Sequence, residues 1–260
     1  MNPSTGVATV SVRLDERPGG AIAHVTIENA PKLNTLGHAL MIAFVETVEA
    51  LAGREDLRAV VLTGAGPKAF IGGANIFEMA ALNAEGAQAF ITLVHRTCAC
   101  LRELPVPVIA RVNGYALGAG LEVAAACDLR IAASNAVFGM PEVKVGIPSV
   151  VEAALLPGLI GWGRTRELLL FGETIDAATA LAWGLVEQVV APDALDAAVE
   201  ARLASLLSAG PQAVRLQKAL IRKWEDLTLS QAVRAGIESF TQAYATDEPA
   251  RMMRGFGKRA

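Results

Sequence analysis

Pro105-Val106-Pro107-Val108-Ile109-Ala110-Arg111-Val112-Asn113-Gly114-Tyr115-Ala116-Leu117-Gly118-Ala119-Gly120-Leu121-Glu122 is the stretch that decides the fold. Two prolines close off any preceding helix. The apolar, β-branched run at 108–112 then reads as a buried strand. Asn113-Gly114 ends it with turn chemistry. Gly118-Ala119-Gly120 forms a small-residue loop, and helix-forming residues run from there through Cys127. A further strand is expected at 129–132.

The same order of strand, turn and helix recurs on both sides. Upstream, 7–14 alternates and meets Arg17-Pro18-Gly19-Gly20, a hairpin turn, with 21–27 as the returning strand. Asn34 or Thr35 is the expected N-cap of a helix running to about Gly53. The run at 58–63 reads as a buried strand closed by Gly64-Ala65-Gly66-Pro67, and 83–103 has helical periodicity. Such alternation predicts an α/β fold with a largely parallel sheet. From about residue 194 strands give way to three expected helices, 194–207, 211–224 and 229–245. The expected division is therefore an α/β core over 1–195, holding the active site, and a helical C-terminal region over 196–260 acting as cap and oligomer interface.

Composition bounds the function. The chain has 260 residues, 53% hydrophobic, with a net charge of −3. That is enough apolar material for a packed core. The mild acidity argues against nucleic acid as a partner. No run reaches the roughly 18 apolar residues of a membrane helix, and the N-terminus lacks a signal-peptide pattern. Three cysteines, Cys98, Cys100 and Cys127, have no metal-like spacing and read as buried thiols in a reducing cytoplasm. His24, His38 and His95 fall in a strand, a helix start and mid-helix; without ligand spacing they read as packed or surface residues, and no metal is expected.

Two loops and two glutamates are the chemical candidates. In Ala69-Phe70-Ile71-Gly72-Gly73-Ala74-Asn75-Ile76 the paired glycines let backbone approach a ligand, and a free N–H at Ala74 would face an anion. In the second loop the N–H of Ala119 stands at the positive end of a helix. Either loop alone is an ordinary turn; together, two N–H groups on one oxygen make an oxyanion hole. Glu122 lies one turn into its helix among apolar residues, and Glu142 follows Pro141 in a loop. Such surroundings raise carboxyl pKa values toward the range needed for acid–base work. Ser149 and Glu152 read as a capping box opening a helix. Phe77, Met79, Met140 and Trp162 are candidate pocket residues whose ordinary role is packing.

These segments together resemble the enoyl-CoA hydratase/isomerase (crotonase) family over nearly the whole chain. The resemblance rests on Ala30-Pro31-Lys32-Leu33-Asn34-Thr35-Leu36, on Lys68 through Met79, on the opening stretch quoted above, and on Cys127-Asp128-Leu129-Arg130-Ile131-Ala132. It continues through Phe138-Gly139-Met140-Pro141-Glu142, Gly172-Glu173-Thr174-Ile175-Asp176-Ala177 and Ala182-Trp183-Gly184-Leu185-Val186. It implies a spiral of β-β-α units and a C-terminal helical region that assembles homotrimers or homohexamers. It implies a 2-enoyl-CoA thioester as substrate, with Ala74 and Ala119 N–H groups on the thioester oxygen. It implies that Glu122 takes a proton from water and that Glu142 delivers one to the α carbon.

Coenzyme A, part of the substrate rather than a cofactor, is expected to meet Lys32, Leu33, Gly72, Gly73 and Lys218. The implied setting is fatty acid and lipid metabolism. Family alternatives are a Δ3/Δ2-enoyl-CoA isomerase, a specialised acyl-CoA dehydratase and, distantly, an RNA-binding member. Two departures stand out: Asn75 in place of the family's common aspartate, and Gly146-Ile147-Pro148-Ser149-Val150-Val151-Glu152 in place of a glycine-rich stretch.

Overall fold

Pro18-Gly19 fold the chain back on itself, so that Arg17 pairs with Gly20 and, at the far end, Thr9 with Glu28. The structure is a computed structural model and describes residues 8–254; the start of the first expected strand, Val7, lies outside them. In chain order the regular elements are β1 (Thr9–Arg17), β2 (Gly20–Glu28), α1 (His38–Ala52), β3 (Leu57–Gly64), β4 (Ala69–Ile71), α2 (Ile76–Met79), α3 (Ala84–Glu103) and β5 (Val108–Val112). Then follow β6 (Tyr115–Leu117), α4 (Ala119–Ala126), β7 (Leu129–Ala133), β8 (Val137–Gly139), α5 (Leu156–Phe171), β9 (Thr174–Asp176), α6 (Ala177–Trp183) and β10 (Gln188–Val190). The helices α7 (Leu195–Leu207), α8 (Pro211–Trp224), α9 (Leu229–Ala243) and α10 (Glu248–Arg254) close the described chain. The last of these was not expected from the sequence.

The sheet is largely parallel, as expected, but it is accompanied by a second one. The larger has the order β1-β2-β3-β5-β7-β10, antiparallel only at β1/β2. The smaller has the order β4-β6-β8-β9, with β4, β6 and β8 parallel. Strands β3, β5 and β7 of the first sheet each feed, across a tight corner, into β4, β6 and β8 of the second. This is the β-β-α spiral. The corners are held by buried asparagines. Asn113 Nδ2 donates to Gly64 O and Gly66 O at 2.9 and 2.6 Å, and Asn34 Nδ2 donates to Ala69 O at 2.8 Å. At Gly114 a side chain has no room, since a Cβ there would lie 2.1 Å from Lys68 O.

The main core lies between the larger sheet and α1, α3 and α4, filled by Phe44, Phe70, Leu62, Leu101 and Leu121. A second cluster seats Leu195, Val199 and Leu203 of α7 on Ile22, Val61, Ile109 and Ile131 of that sheet. Burial of such side chains stabilises each contact by about 1.5–3 kcal/mol.

Three local expectations are corrected. Helix α1 starts at His38 with Gly37 as N-cap, not at Asn34 or Thr35. Leu33 and Asn34 are left-handed (φ 54° and 57°), and the Asn34 side chain is spent on the corner. The 149–152 capping box does not form. Val150 precedes a short 3-10 helix, Val151–Leu155, with no side-chain cap, because the Ser149 hydroxyl and the Glu152 carboxylate each find a tertiary partner. Lys218, expected to meet coenzyme A, is enclosed by the fold instead. It is buried, its ammonium donating to Leu101 O, Val106 O and Asp128 Oδ2 at 3.1, 2.9 and 2.6 Å, which pins α8 to the segment before β5.

Candidate active site

Strands β4, β6 and β8 run side by side in the same direction, so the residues that follow them emerge together at one edge of the small sheet. Ile71 pairs with Ala116, and Leu117 with Gly139. Ala74 stands three residues beyond Ile71, Ala119 two beyond Leu117, and Glu142 three beyond Gly139. Parallel registry alone therefore delivers both loops and one glutamate to one place.

The first loop is zipped to the 33–36 segment. Gly72 N–H donates to Leu33 O, Leu36 N–H to Gly73 O and Asn75 N–H to Leu36 O, each at 2.8 Å. This ladder skips Ala74. In the second loop Gly118 N–H donates to Gly139 O at 2.9 Å, and the Leu121 and Glu122 N–H groups donate to Gly118 O. Ala119 opens α4, where a helix leaves its first N–H groups without intrahelical acceptors. Among the described residues neither the Ala74 nor the Ala119 N–H meets a protein acceptor. Gly118 (φ 52°) is required twice over: its backbone is left-handed, and a Cβ would lie 2.4 Å from Glu142 Oε1.

Both N–H groups and both glutamates line one cavity of about 630 Å³. Its walls include Lys32, Leu33, Gly72 and Gly73 from the zipped segments and Phe77 and Met79 from α2. Phe90, Ile91 and Val94 from α3 face Ile147, Pro148 and Val150 across it. Lys32, Leu33, Gly72 and Gly73 are thus brought to the site. Lys218 is not among the cavity-lining residues, and its three donors are taken inside the fold. Phe77 and Met79 line the cavity, whereas Met140 is buried in the core and Trp162 is exposed elsewhere. Asn75 makes local bonds, accepting from Phe77 N–H and donating to Glu78 Oε1.

Glu122 is 5% exposed. Burial, reinforced by the nearby Glu142 carboxylate, pushes its pKa up to about 8, against the opposing pull of the Ala153 N–H on Oε1 at 3.2 Å. Glu142 sits in a 3-10 helix, Pro141–Val145, and its Oε2 accepts a 2.8 Å bond from Ser149 Oγ. Sequence reasoning missed Ser149 and the Ala153 N–H as site groups. It also missed Glu152, which is 7% exposed and bonded through Oε1 to His95 Nδ1 at 2.8 Å. All three cysteines are buried and free, as expected. Among the described residues no cluster of three or more His, Cys, Asp or Glu side chains could hold a metal ion, and no helix is long and apolar enough to cross a membrane.

Residues 17–259 match the family model of enoyl-CoA hydratase/isomerase. The chain belongs to the enoyl-CoA hydratase/isomerase family. Among curated relatives it is 36% identical over 238 residues to the short-chain-enoyl-CoA hydratase of Clostridium acetobutylicum, covering 91% of each chain. It is also 36% identical over 230 residues to the crotonyl-CoA hydratase of Syntrophomonas wolfei, covering 88% of each. Among solved structures, an enoyl-CoA hydratase from Bacillus anthracis superposes with a TM-score of 0.90 at 31% identity, over 95% of this chain and 96% of that one. The crotonase fold and the family membership therefore agree with the resemblance seen in the sequence.

Proposed function

We propose that this member of the family adds water across the 2,3 double bond of a 2-enoyl-CoA thioester. It is an enzyme, a hydro-lyase of the enoyl-CoA hydratase kind. The observation that carries the mechanism is the placement of two acceptor-free N–H groups and two glutamates around one cavity.

The Ala74 and Ala119 N–H groups receive the thioester oxygen, where negative charge grows as the enolate forms. Glu122 takes a proton from water as the oxygen bonds to the β carbon. Its raised pKa suits this task, because a base works best when its pKa lies near the working pH. Glu142, oriented by Ser149, delivers a proton to the α carbon. Lys32, Leu33, Gly72 and Gly73 border the mouth of the loops and hold the coenzyme A portion, which is part of the substrate; no separate cofactor enters this mechanism. The apolar walls from α3 and 147–150 receive the acyl chain. We also place the enzyme in the cytoplasm, in fatty acid metabolism, as a homotrimer or homohexamer built through its C-terminal helices.

The test uses crotonyl-CoA and longer enoyl-CoA esters, followed by loss of the conjugated thioester absorbance. Glu122→Gln and Glu142→Gln should each lower hydration by roughly 10²-fold or more, as for other positioned acid–base groups. Their combined loss should fall well short of the product, because the two act as a unit. Thioester affinity should hardly change. A near-wild-type hydration rate in either single variant overturns the two-glutamate reading and favours a double-bond isomerase, which needs one carboxylate.

A further inference from the structure

Next to the residue that bonds Glu122, and not among the cavity-lining residues, stands a third carboxylate. Glu152 occupies the 3-10 helix packed on α4, and the next residue, Ala153, donates its N–H to Glu122 Oε1. One peptide unit thus separates Glu152 from the hydrogen bond that holds Glu122. Oε1 of Glu152 bonds to His95 Nδ1 at 2.8 Å, whereas Oε2 is buried without a partner. Among the described residues that oxygen has no protein donor, so its lone pairs are open to a proton. His95 itself is on α3 with 53% of its side chain exposed. The imidazole therefore reaches from solvent to a largely buried carboxylate that is not among the cavity-lining residues.

The turnover proposed above leaves a proton in the wrong place. Water gives one proton to Glu122 while its oxygen bonds to the β carbon. The π pair moves toward the thioester, and the α carbon takes a proton from Glu142. Glu122 ends protonated and Glu142 ionised. Before the next hydration a proton must leave Glu122, which is 5% exposed, and Glu142, on the cavity wall, must take one back from water.

We propose that Glu152 and His95 form a proton relay that discharges Glu122 to solvent between turnovers, a role that rests on the assignment of Glu122 as the base. A proton leaving Glu122 is received by the Glu152 carboxyl at its free oxygen. The Glu152–His95 pair shares one proton between Oε1 and Nδ1, and it passes one to water from the exposed side of the imidazole. One proton enters the pair and one leaves, so its charge is unchanged. The other titratable group facing this cluster is the Cys98 thiol, one helical turn from His95. Burial, with the Glu152 and Glu122 charges added, pushes that thiol well up, so it stays protonated and inert. Glu152 and His95 are positioning and relay residues; neither touches the substrate.

The test compares His95→Ala and Glu152→Gln with the intact enzyme. His95 is half exposed but is the side-chain partner of the buried Glu152 carboxylate, so circular dichroism and a melting curve accompany the kinetics of His95→Ala. The relay predicts a steady-state kcat lower by roughly 10-fold, less than loss of a group that acts in the bond-making step. The single-turnover hydration rate and kcat/KM should be unchanged, so KM falls together with kcat, and added imidazole should restore kcat of His95→Ala in proportion to its concentration. Two outcomes overturn the relay: wild-type kcat in His95→Ala, or a loss that imidazole does not restore, which marks a purely structural contact. Glu152→Gln keeps the shape of the carboxyl but cannot pass a proton, and it should be slow without imidazole rescue; wild-type turnover there also overturns the relay. If instead Glu122→Gln hydrates normally, the base assignment fails first, whatever His95 does.

Discussion

The hydroxyl of Ser149 donates a 2.8 Å hydrogen bond to Oε2 of Glu142, tying the carboxylate to the segment that leads into the 151–155 turn. On the opposite side, Oε1 of Glu142 packs over Gly118, where no Cβ could fit. The carboxylate is thus held between a donor and a bare backbone. A proton donor so fixed loses little freedom on reaching its transition-state position.

Ser149→Ala should lower the hydration rate by roughly 10-fold, the equivalent of one charge-assisted hydrogen bond of about 1.4 kcal/mol. KM should stay within a factor of about two of the wild type. Steady-state kinetics on crotonyl-CoA checks both. An unchanged kcat would show that Ser149 does not orient Glu142.

Glu122 makes stability depend on pH. Its carboxyl titrates near 4.5 in the unfolded chain and at about 8 in the fold. Between these values the unfolded chain has released a proton that the native state still holds, so unfolding is favoured progressively as pH rises. The penalty is absent below about pH 4.5 and complete above about pH 8, on the order of a few kcal/mol. Glu122→Gln mimics the protonated form. Chemical denaturation should find the variant more stable than the wild type at about pH 8.5, just above the window, and equal to it at about pH 4, just below it. Equal stability at both would mean the carboxyl is not raised.

Lys218→Met should destabilise the fold by about 3 kcal/mol, since it leaves two buried carbonyls and Asp128 without their cation. Below its lowered melting temperature the variant should bind thioester with wild-type KM, because the lysine points into the fold. A large rise in KM with little loss of stability would restore the coenzyme A role expected from the sequence.

Helix α9 has no buried residue. Its side chains Leu229, Val233, Ile237, Phe240 and Tyr244, spaced along one face, are between 56% and 82% exposed. Such a stripe on a monomer is a contact surface. Light scattering should give the mass of three or six chains, and Ile237→Glu with Phe240→Glu should reduce it. A monomeric wild type would contradict the assembly.

Much of this was readable before any coordinates. Strand, turn and helix order follows from periodicity and from Pro, Gly and Asn at the breaks, all of which act over a few residues. The N–H groups of Ala74 and Ala119 were legible for the same reason: each follows a strand and sits in a small-residue loop. The 83–103 helix forms where its periodicity places it, and Asn83 caps it through a bond to an N–H three residues on. The failures share a cause. Asn34, Ser149 and Glu152 carry side chains that favour helix caps locally, and each was drawn off by a partner further along the chain or across the fold. Ser149 is claimed by Glu142, Glu152 by His95 and Asn34 by Ala69.

The sequence by itself determined the order of elements, the two loops that end short strands, and the position of Glu122 on the first turn of a helix. These depend on local backbone preferences and on apolar spacing. Only the tertiary structure decided which of those pieces meet. Parallel registry of β4, β6 and β8 sets Ala74, Ala119 and Glu142 side by side although they lie far apart in the chain. Packing of the 151–155 turn on α4 buries Glu122, brings the Ala153 N–H to it and sets Glu152 against His95. The pKa of a carboxyl depends on what surrounds it in space, and no spacing along the chain encodes that. Lys218 shows the same limit: a long charged side chain reads as exposed until three acceptors from another part of the chain enclose its end.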